Sequence, residues 1–216
     1  VFGGVVMEKE LLKGTTTVGM VYKDGVVMGT EHRATMGTLI AHKKTQKLIQ
    51  ISDNIGMTTA GLVGDAQILA RYLSAEVELY NLKRDYTMSI KAASTLMANI
   101  LSGRRYMPYW VQLLIGGVDD EGGHVYSLDA AGGSIPDDCT ITGSGSPYVY
   151  GVLEDHYKTG MTETDTVDLA VRCLNAAIKR DAASGNGMDI AVIKKAGWKK
   201  VTQNDIDKRM KKFGLN

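Results

Sequence analysis

The apolar residues of this chain change period four times along its length, and that alternation limits the folds open to it more than any other feature. From Thr15 the sequence TTTVGMVYKDGVVMGTEH places β-branched and apolar residues on both sides of a Lys23-Asp24-Gly25 turn, which predicts a hairpin. Further strands are predicted at 47–51 (KLIQI) and 55–60 (IGMTTA), ended by Gly61. The spacing then shifts to threes and fours. Leu62, Ala66, Leu69, Ala70, Leu73, Val77 and Tyr80 predict a helix over about 62–83, and Ile90, Ala93, Met97, Ile100 and Leu101 predict a second over about 88–103, stopped by Gly103. A connection of a few residues makes the two an antiparallel pair. Strands return at 110–117 and 124–129 around the turn 119–123, followed by a turn at Ala130–Ser134 and a short strand near 139–142. Ser146 as N-cap and Pro147 at the first helical position open a helix over about 147–157. Thr162 and Asp165 open a longer one to about Lys179, with Val167, Ala170, Val171, Leu174, Ala177 and Ile178 on one face. A hairpin at 188–193 and 197–201 and a short charged helix from about 203 complete the chain.

Strands followed by helix pairs, twice over, indicate an α+β fold rather than an alternating parallel sheet. The arrangement expected is a four-layer αββα sandwich, two packed antiparallel sheets covered on their outer faces by helix pairs. With 25 Gly against 3 Pro the chain suits many tight strand turns, and neither a linker nor an internal repeat interrupts its 216 residues. The formal net charge of +1 argues against a nucleic-acid binder, which needs a concentrated basic field. Charge is spread along the chain apart from Lys199, Lys200, Lys208, Arg209, Lys211 and Lys212 near the end, read as a solvated surface. No apolar run approaches the roughly 20 residues that span a bilayer. Two cysteines, Cys139 and Cys173, make no disulfide framework, and the chain has no Asn-x-Ser/Thr sequon, so a cytoplasmic location is expected.

Most catalytic classes lack their residues. His32, His42, His124 and His156 lie far apart without metal-ligand spacing, and neither cysteine belongs to a CxxC. Gly143-Ser144-Gly145-Ser146 can cradle an anion at a helix N-terminus but lacks the Lys-Ser/Thr pair of a P-loop. No GxSxG nucleophile elbow is present. What remains is Gly14-Thr15-Thr16-Thr17-Val18-Gly19. Three threonines at a strand start are good β formers and need no further explanation by themselves. A Thr hydroxyl becomes a useful nucleophile only when a base takes its proton. The residue's own α-amine can be that base, because its ordinary pKa of about 7.7–8.0 lies near working pH. That requires Thr15 to be the first residue, hence cleavage after Gly14, whose carbonyl is unhindered. A neighbouring cation would lower the pKa of amine and hydroxyl, and a carboxylate would hold the cation, with Lys47 and Glu31 as candidates on neighbouring strands. Residues 1–14 (VFGGVVMEKELLKG) show no basic leader and too short an apolar stretch for a signal peptide. They read as a frayed terminus, as sequence before a start at Met7, or as a segment removed on maturation.

Eight motifs now occur in order: Gly14 to Gly19, Thr30 to Thr35 (TEHRAT), Lys47-Leu48, Thr59 to Ala66 (TAGLVGDA), Tyr106 to Tyr109 (YMPY), Ala130 to Gly133 (AAGG), Thr142 to Pro147 (TGSGSP) with Tyr150 to Glu154 (YGVLE), and Arg180 to Gly185 (RDAASG). In this order, over nearly the whole chain from Thr15, they resemble the archaeal 20S proteasome β subunits, N-terminal-nucleophile hydrolases of the threonine peptidase family. The resemblance implies residues 1–14 as a propeptide removed autocatalytically between Gly14 and Thr15, and 15–216 as the catalytic domain. It implies Thr15 as nucleophile and base, Lys47 as the cation that lowers its pKa, Glu31 as the partner of Lys47, and the Gly61 N–H as oxyanion donor. Ser144, Asp181 and Ser184 would orient the amine and a catalytic water. Ala34, Thr45, Ile49, Thr59 and Val63 would surround the pocket for the side chain before the cut bond, and a mostly neutral pocket favours an apolar side chain. Thr59 departs from the larger apolar residue of a chymotrypsin-like member.

The same resemblance implies no cofactor and no metal. It implies heptameric rings of β subunits, two stacked between rings of α subunits in a twenty-eight-subunit particle, fed with unfolded polypeptides by a regulatory ATPase on the α ring. Taken singly, each residue has a plainer reading: Asp181 and Ser184 as helix-end polar groups, Ser144 as a turn former, Glu31 and Lys47 as surface charges. Three rival assignments remain at this point: a ring subunit without activity, a different amino-terminal-nucleophile hydrolase, and an anion-binding module built on residues 143–146.

Overall fold

The computed structural model describes residues 14–215; the predicted propeptide, except for Gly14, lies outside the described residues. Six strands come first: β1 (Thr16–Tyr22), β2 (Gly25–Glu31), β3 (Ala34–Met36), β4 (Leu39–His42), β5 (Leu48–Gln50) and β6 (Ile55–Gly61). Helices α1 (Val63–Arg84) and α2 (Ile90–Ser102) follow, then β7 (Val111–Asp119), β8 (Gly122–Leu128), β9 (Ser134–Asp137) and β10 (Cys139–Gly143). Helices α3 (Ser146–His156) and α4 (Glu163–Arg180), strands β11 (Met188–Lys194) and β12 (Gly197–Lys200), and α5 (Gln203–Lys212) complete the order.

Two five-stranded sheets, antiparallel throughout, form the middle of the molecule in the orders β10-β1-β2-β11-β12 and β5-β6-β7-β8-β9. The period of two decides which layer each side chain enters. On β2, Val26 and Met28 join Leu48, Leu114, Val125 and Ile193 between the sheets. Val27, between them in sequence, faces outward with Val18 and Met20 against Leu153, Leu169 and Leu174 of α3 and α4. On β7 the same alternation sends Leu114 between the sheets and Leu113 and Ile115 out against Leu69, Leu73, Ile90 and Met97 of α1 and α2. The result is the four-layer αββα sandwich. Ile206 of α5 packs into the α3–α4 layer, which therefore has three helices rather than a pair.

Close approach of the sheets depends on two opposed glycines. Gly56 and Gly116 are register partners on β6 and β7, and Met28 Sδ from the other sheet stands 3.0 Å from where a Cβ on either would lie. Lower down, hydroxyls tie the sheets together: Thr58 Oγ1 donates to Thr17 Oγ1 at 2.9 Å, and Thr17 and Thr142 Oγ1 lie 2.7 Å apart.

Several local expectations need correction. Ser146 is the first residue of α3, not its N-cap; Gly145 holds that position, and the Ser146 hydroxyl donates back to Gly143 O at 2.6 Å. Leu62 precedes α1 and is partly exposed, its N–H donating to Trp110 O at 2.7 Å. The hairpin β3–β4 is absent from the sequence reading because its strands have three and four residues, a register shift at Ala34/Thr35 and no buried face to impose alternation. β9 begins at Ser134, where only a turn is legible, and pairs as an edge strand with β8.

Met28→Ala removes the side chain that fills the hollow left by two glycines, and it is expected to cost roughly 2–5 kcal/mol of stability. Chemical denaturation checks this: the midpoint should fall with the slope unchanged, and an unaltered midpoint would show that the sheets close over the gap.

Candidate active site

The loop after β2 and the start of β1 bring Thr15, Glu31 and Lys47 together below the surface. Their exposures are 4%, 0% and 3%. Lys47, which precedes β5, directs its ammonium at three oxygens. It donates to Thr15 Oγ1 at 2.9 Å, to the Glu31 carboxylate and to Arg33 O. An ammonium has three protons, so all of them are used. Burial lowers the Lys47 pKa from its ordinary value, opposed by the charges of Glu31 and Asp181. Glu31 also accepts from the N–H groups of Arg33 (2.6 Å) and Gly185 (2.9 Å) at one oxygen, and of Thr16 (3.3 Å) at the other. The carboxylate is fully buried, and these donors together with Lys47 satisfy its oxygens, as a buried pair requires. The Thr15 hydroxyl, receiving from Lys47, donates to Gly14 O at 2.8 Å.

A second network lies on the other side of Thr15. Asp181, which caps the end of α4, accepts at one oxygen from Ser144 Oγ and from Ser184 Oγ, each at 2.6 Å. Ser184 Oγ is 2.7 Å from Thr16 Oγ1, and because its single proton goes to Asp181, the Thr16 hydroxyl is the donor there. Ser144 Oγ also reaches Thr15 O at 3.5 Å. Ser144, Asp181 and Ser184 are thus brought together around the backbone of Thr15 and Thr16.

Gly61 ends β6 with a φ of 116°, and a Cβ there would run into Trp110 O. Thr59 N–H points to the β5 side, donating to Lys47 O at 3.1 Å, and the Leu62 N–H points the other way to Trp110. By the alternation of an antiparallel strand the Gly61 N–H lies on the same edge as that of Thr59, beyond the end of β5 and toward Thr15. Asp65 fixes this corner from the first turn of α1 by accepting from Trp110 N–H at 2.9 Å.

A cavity of about 350 Å³ opens beside Thr15 and Lys47. Of the residues proposed around the pocket, Ala34, Ile49, Thr59 and Val63 line it, with Gly61. Thr45 does not: the chain bends at residues 43 and 44, Thr45 N–H donates to His32 O at 2.9 Å, and the alternation that would set it beside Lys47 and Ile49 is broken. Met36 and His42, from the β3–β4 hairpin that the sequence does not reveal, and Ala66 of α1 also form its walls. The sequence reading also missed Thr16, Arg33 and Gly185 as members of the hydrogen-bond network. All three contribute backbone groups, which no residue type announces, and the Thr16 hydroxyl was legible only as one of three adjacent ones.

Among the described residues, no group of three or more His, Cys, Asp and Glu is arranged to hold a metal ion, and no helix is long and apolar enough to cross a membrane.

A four-layer sandwich that holds a buried, lysine-bound hydroxyl at the mouth of a cavity has, as a class, the architecture of a hydrolase. The family model described as "Proteasome subunit" matches residues 11–193. The chain is 52% identical over 210 residues to a proteasome subunit beta of Thermoplasma acidophilum, covering 97% of this chain and 99% of that protein. It is 51% identical over 201 residues to that of Methanosphaerula palustris, covering 93% and 95%, and 55% identical over 188 residues to that of Methanoculleus marisnigri, covering 87% and 88%. The chain belongs to the proteasome subunit family, and within it to the archaeal beta subunits. Membership carries a role in a protein-degrading hydrolase that assembles with other subunits.

Glu31→Gln leaves the Lys47 ammonium buried without its counter-charge. The uncleaved chain is expected to lose roughly 3–5 kcal/mol of stability in chemical denaturation. A loss below about 1 kcal/mol would place the pair in the range of exposed ion pairs, contrary to its burial.

Proposed function

We propose that the chain is the threonine-type endopeptidase subunit of its particle, with Thr15 as nucleophile after cleavage of the Gly14–Thr15 bond. The observation that carries this reading is the Lys47 ammonium 2.9 Å from Thr15 Oγ1 with its remaining protons committed to Glu31 and Arg33 O. A cation donating to a hydroxyl oxygen stabilises the alkoxide, but a lysine with every proton engaged cannot also be the base. The base must come from elsewhere, and the freed Thr15 amine supplies it.

In the precursor, Thr15 Oγ passes its proton to a water and attacks the Gly14 carbonyl carbon, the Gly14–Thr15 C–N bond breaks, and the nitrogen takes up that proton. Water then hydrolyses the resulting ester, leaving a Gly14 carboxylate, the Thr15 hydroxyl and a free amine. Before this step Thr15 N is an amide and cannot act as base. Against a peptide substrate the amine takes the hydroxyl proton, Oγ attacks the scissile carbonyl, and the Gly61 N–H faces the developing oxyanion, an interaction worth about 2.7–4 kcal/mol where one such donor is removed; the scissile C–N bond then breaks as that proton passes to the leaving nitrogen, leaving an ester on Oγ. Ser144, Ser184 and Asp181 orient the amine and the water that releases the second product. The side chain before the cut bond enters the cavity lined by Ala34, Ile49, Thr59 and Val63.

The particle we propose is a stack of heptameric rings, two of β subunits between two of α subunits, twenty-eight subunits in all. Thr15 faces an enclosed chamber, so substrates are restricted to unfolded chains delivered by an ATPase on the α ring. Cys139 and Cys173 are unpaired, as suits a cytoplasmic enzyme.

Mass measurement and amino-terminal sequencing after co-expression with an α subunit test this directly: the chain should begin at Thr15. Thr15→Ala and Lys47→Ala should assemble and cleave no peptide; activity retained by purified Thr15→Ala would refute the mechanism. A side chain at residue 14 would collide with the Ala183 methyl, so Gly14→Val should slow the appearance of the new terminus on the order of a hundredfold. Cleavage at the wild-type rate would show that the carbonyl needs no such close seat.

A further inference from the structure

Arg33, between β2 and β3, is joined to both halves of the site. Its backbone N–H donates to Glu31 Oε2 at 2.6 Å, and its carbonyl accepts from Lys47. Its side chain leaves β2 in the opposite sense and grips the loop that follows α4. Nη1 donates to Ala182 O at 2.7 Å and Nε to Asn186 Oδ1 at 2.8 Å. Gly185 lies against the guanidinium, so close that a Cβ would stand 2.7 Å from Nε. Asn186 takes a left-handed φ of 65° that turns its amide toward the arginine. Both acceptors are uncharged, so this is a fixed fork of donors rather than an ion pair, and a lysine, with a point charge, cannot reproduce it.

The loop held in this way carries residues that touch Gly14, Thr16 and Glu31. Ala183 fills the space a side chain on residue 14 would need, Ser184 bonds both Asp181 and Thr16, and Gly185 N–H donates to Glu31. We propose that Arg33 is a positioning residue whose guanidinium clamps residues 182–186 onto the end of β2 and so sets Asp181, Ala183 and Ser184 in register with Thr15. This rests on the reading of Thr15 as nucleophile. The charged groups around the Thr15 amine are then Lys47 from the segment before β5, Glu31 at the end of β2, Arg33 beside it and Asp181 from the end of α4.

The clamp has a signature that a merely structural arginine lacks. Asp181, held close, favours the protonated amine, whereas activity needs the neutral amine and rises with pH through its pKa. Releasing the loop while the cation is kept, as Asn186→Gly does, lets Asp181 withdraw, lowers the amine pKa and moves the acid limb of the kcat/KM profile to lower pH; Arg33→Ala also removes a cation that opposes protonation nearby, so its limb moves less. In the assembled particle, Arg33→Ala should slow exposure of Thr15 and reduce kcat by on the order of ten- to a hundredfold with KM changed less than about twofold. Arg33→Lys, which reaches one acceptor at most, should fall between. If Arg33→Ala does not assemble, Asn186→Gly keeps the positive φ, removes one acceptor and should shift rate and profile in the same directions. Processing, kcat and acid limb unchanged from wild type in Arg33→Ala, or in Asn186→Gly where that variant stands in, would overturn the proposal. A wild-type chain that never exposes Thr15 would instead count against the nucleophile reading, so the two failures are distinguishable.

Discussion

The arrangement at the site follows from one constraint, a lysine ammonium buried among groups that use all its protons. An ammonium taken out of water is stabilised only by a nearby opposite charge and complete hydrogen bonding. Glu31 supplies the charge from the end of β2, Arg33 O one acceptor, and Thr15 Oγ1 the last. The third contact is the one with chemical consequence, because the same donation that satisfies the lysine stabilises negative charge on the threonine oxygen. Burying the Glu31 carboxylate in turn requires donors on its other lone pairs, which come from the N–H groups of Thr16, Arg33 and Gly185. A demand for electrostatic satisfaction thus spreads from one side chain to β1, β2, β5 and the loop after α4.

The sandwich exists, for this purpose, to bring those four segments to one place. β1 and β2 are neighbours in one sheet, β5 lies at the edge of the other, and the loop after α4 arrives over the first. The sheets can approach because Gly56 and Gly116 oppose each other beneath Met28 and because the Thr58 hydroxyl bonds Thr17 across the gap. Thr58 is followed directly by Thr59 and the Gly61 corner, so the contact that sets the sheet spacing also sets the distance from Gly61 to Thr15.

Much of this was legible in the residues. Helix spacing, apolar or β-branched runs and turn residues located every helix and most strands, because those elements bury apolar side chains on at least one face. The hairpin β3–β4 and the edge strand β9 have no such face, so nothing in their sequences marked them. At the site, Thr15, Glu31 and Lys47 could be named because the chemistry requires a hydroxyl, a cation and a carboxylate, and the ordered motifs placed them. Thr45, which the resemblance implied beside the pocket, does not line the cavity, because the chain bends at 43 and 44 before it. Arg33 and Gly185 were missed because much of what they contribute is main-chain N–H and C=O, which every residue has, and only the fold aims them.

The central claim is that Thr15 Oγ is the reacting atom. The most direct measurement is peptide mapping by mass spectrometry of the assembled, active particle after treatment with a short peptide bearing an electrophilic carbonyl group. The account predicts a single adduct per β subunit on Thr15, formed in step with loss of peptidase activity. An adduct on Ser144 or Ser184, or inactivation with Thr15 unmodified, would contradict it.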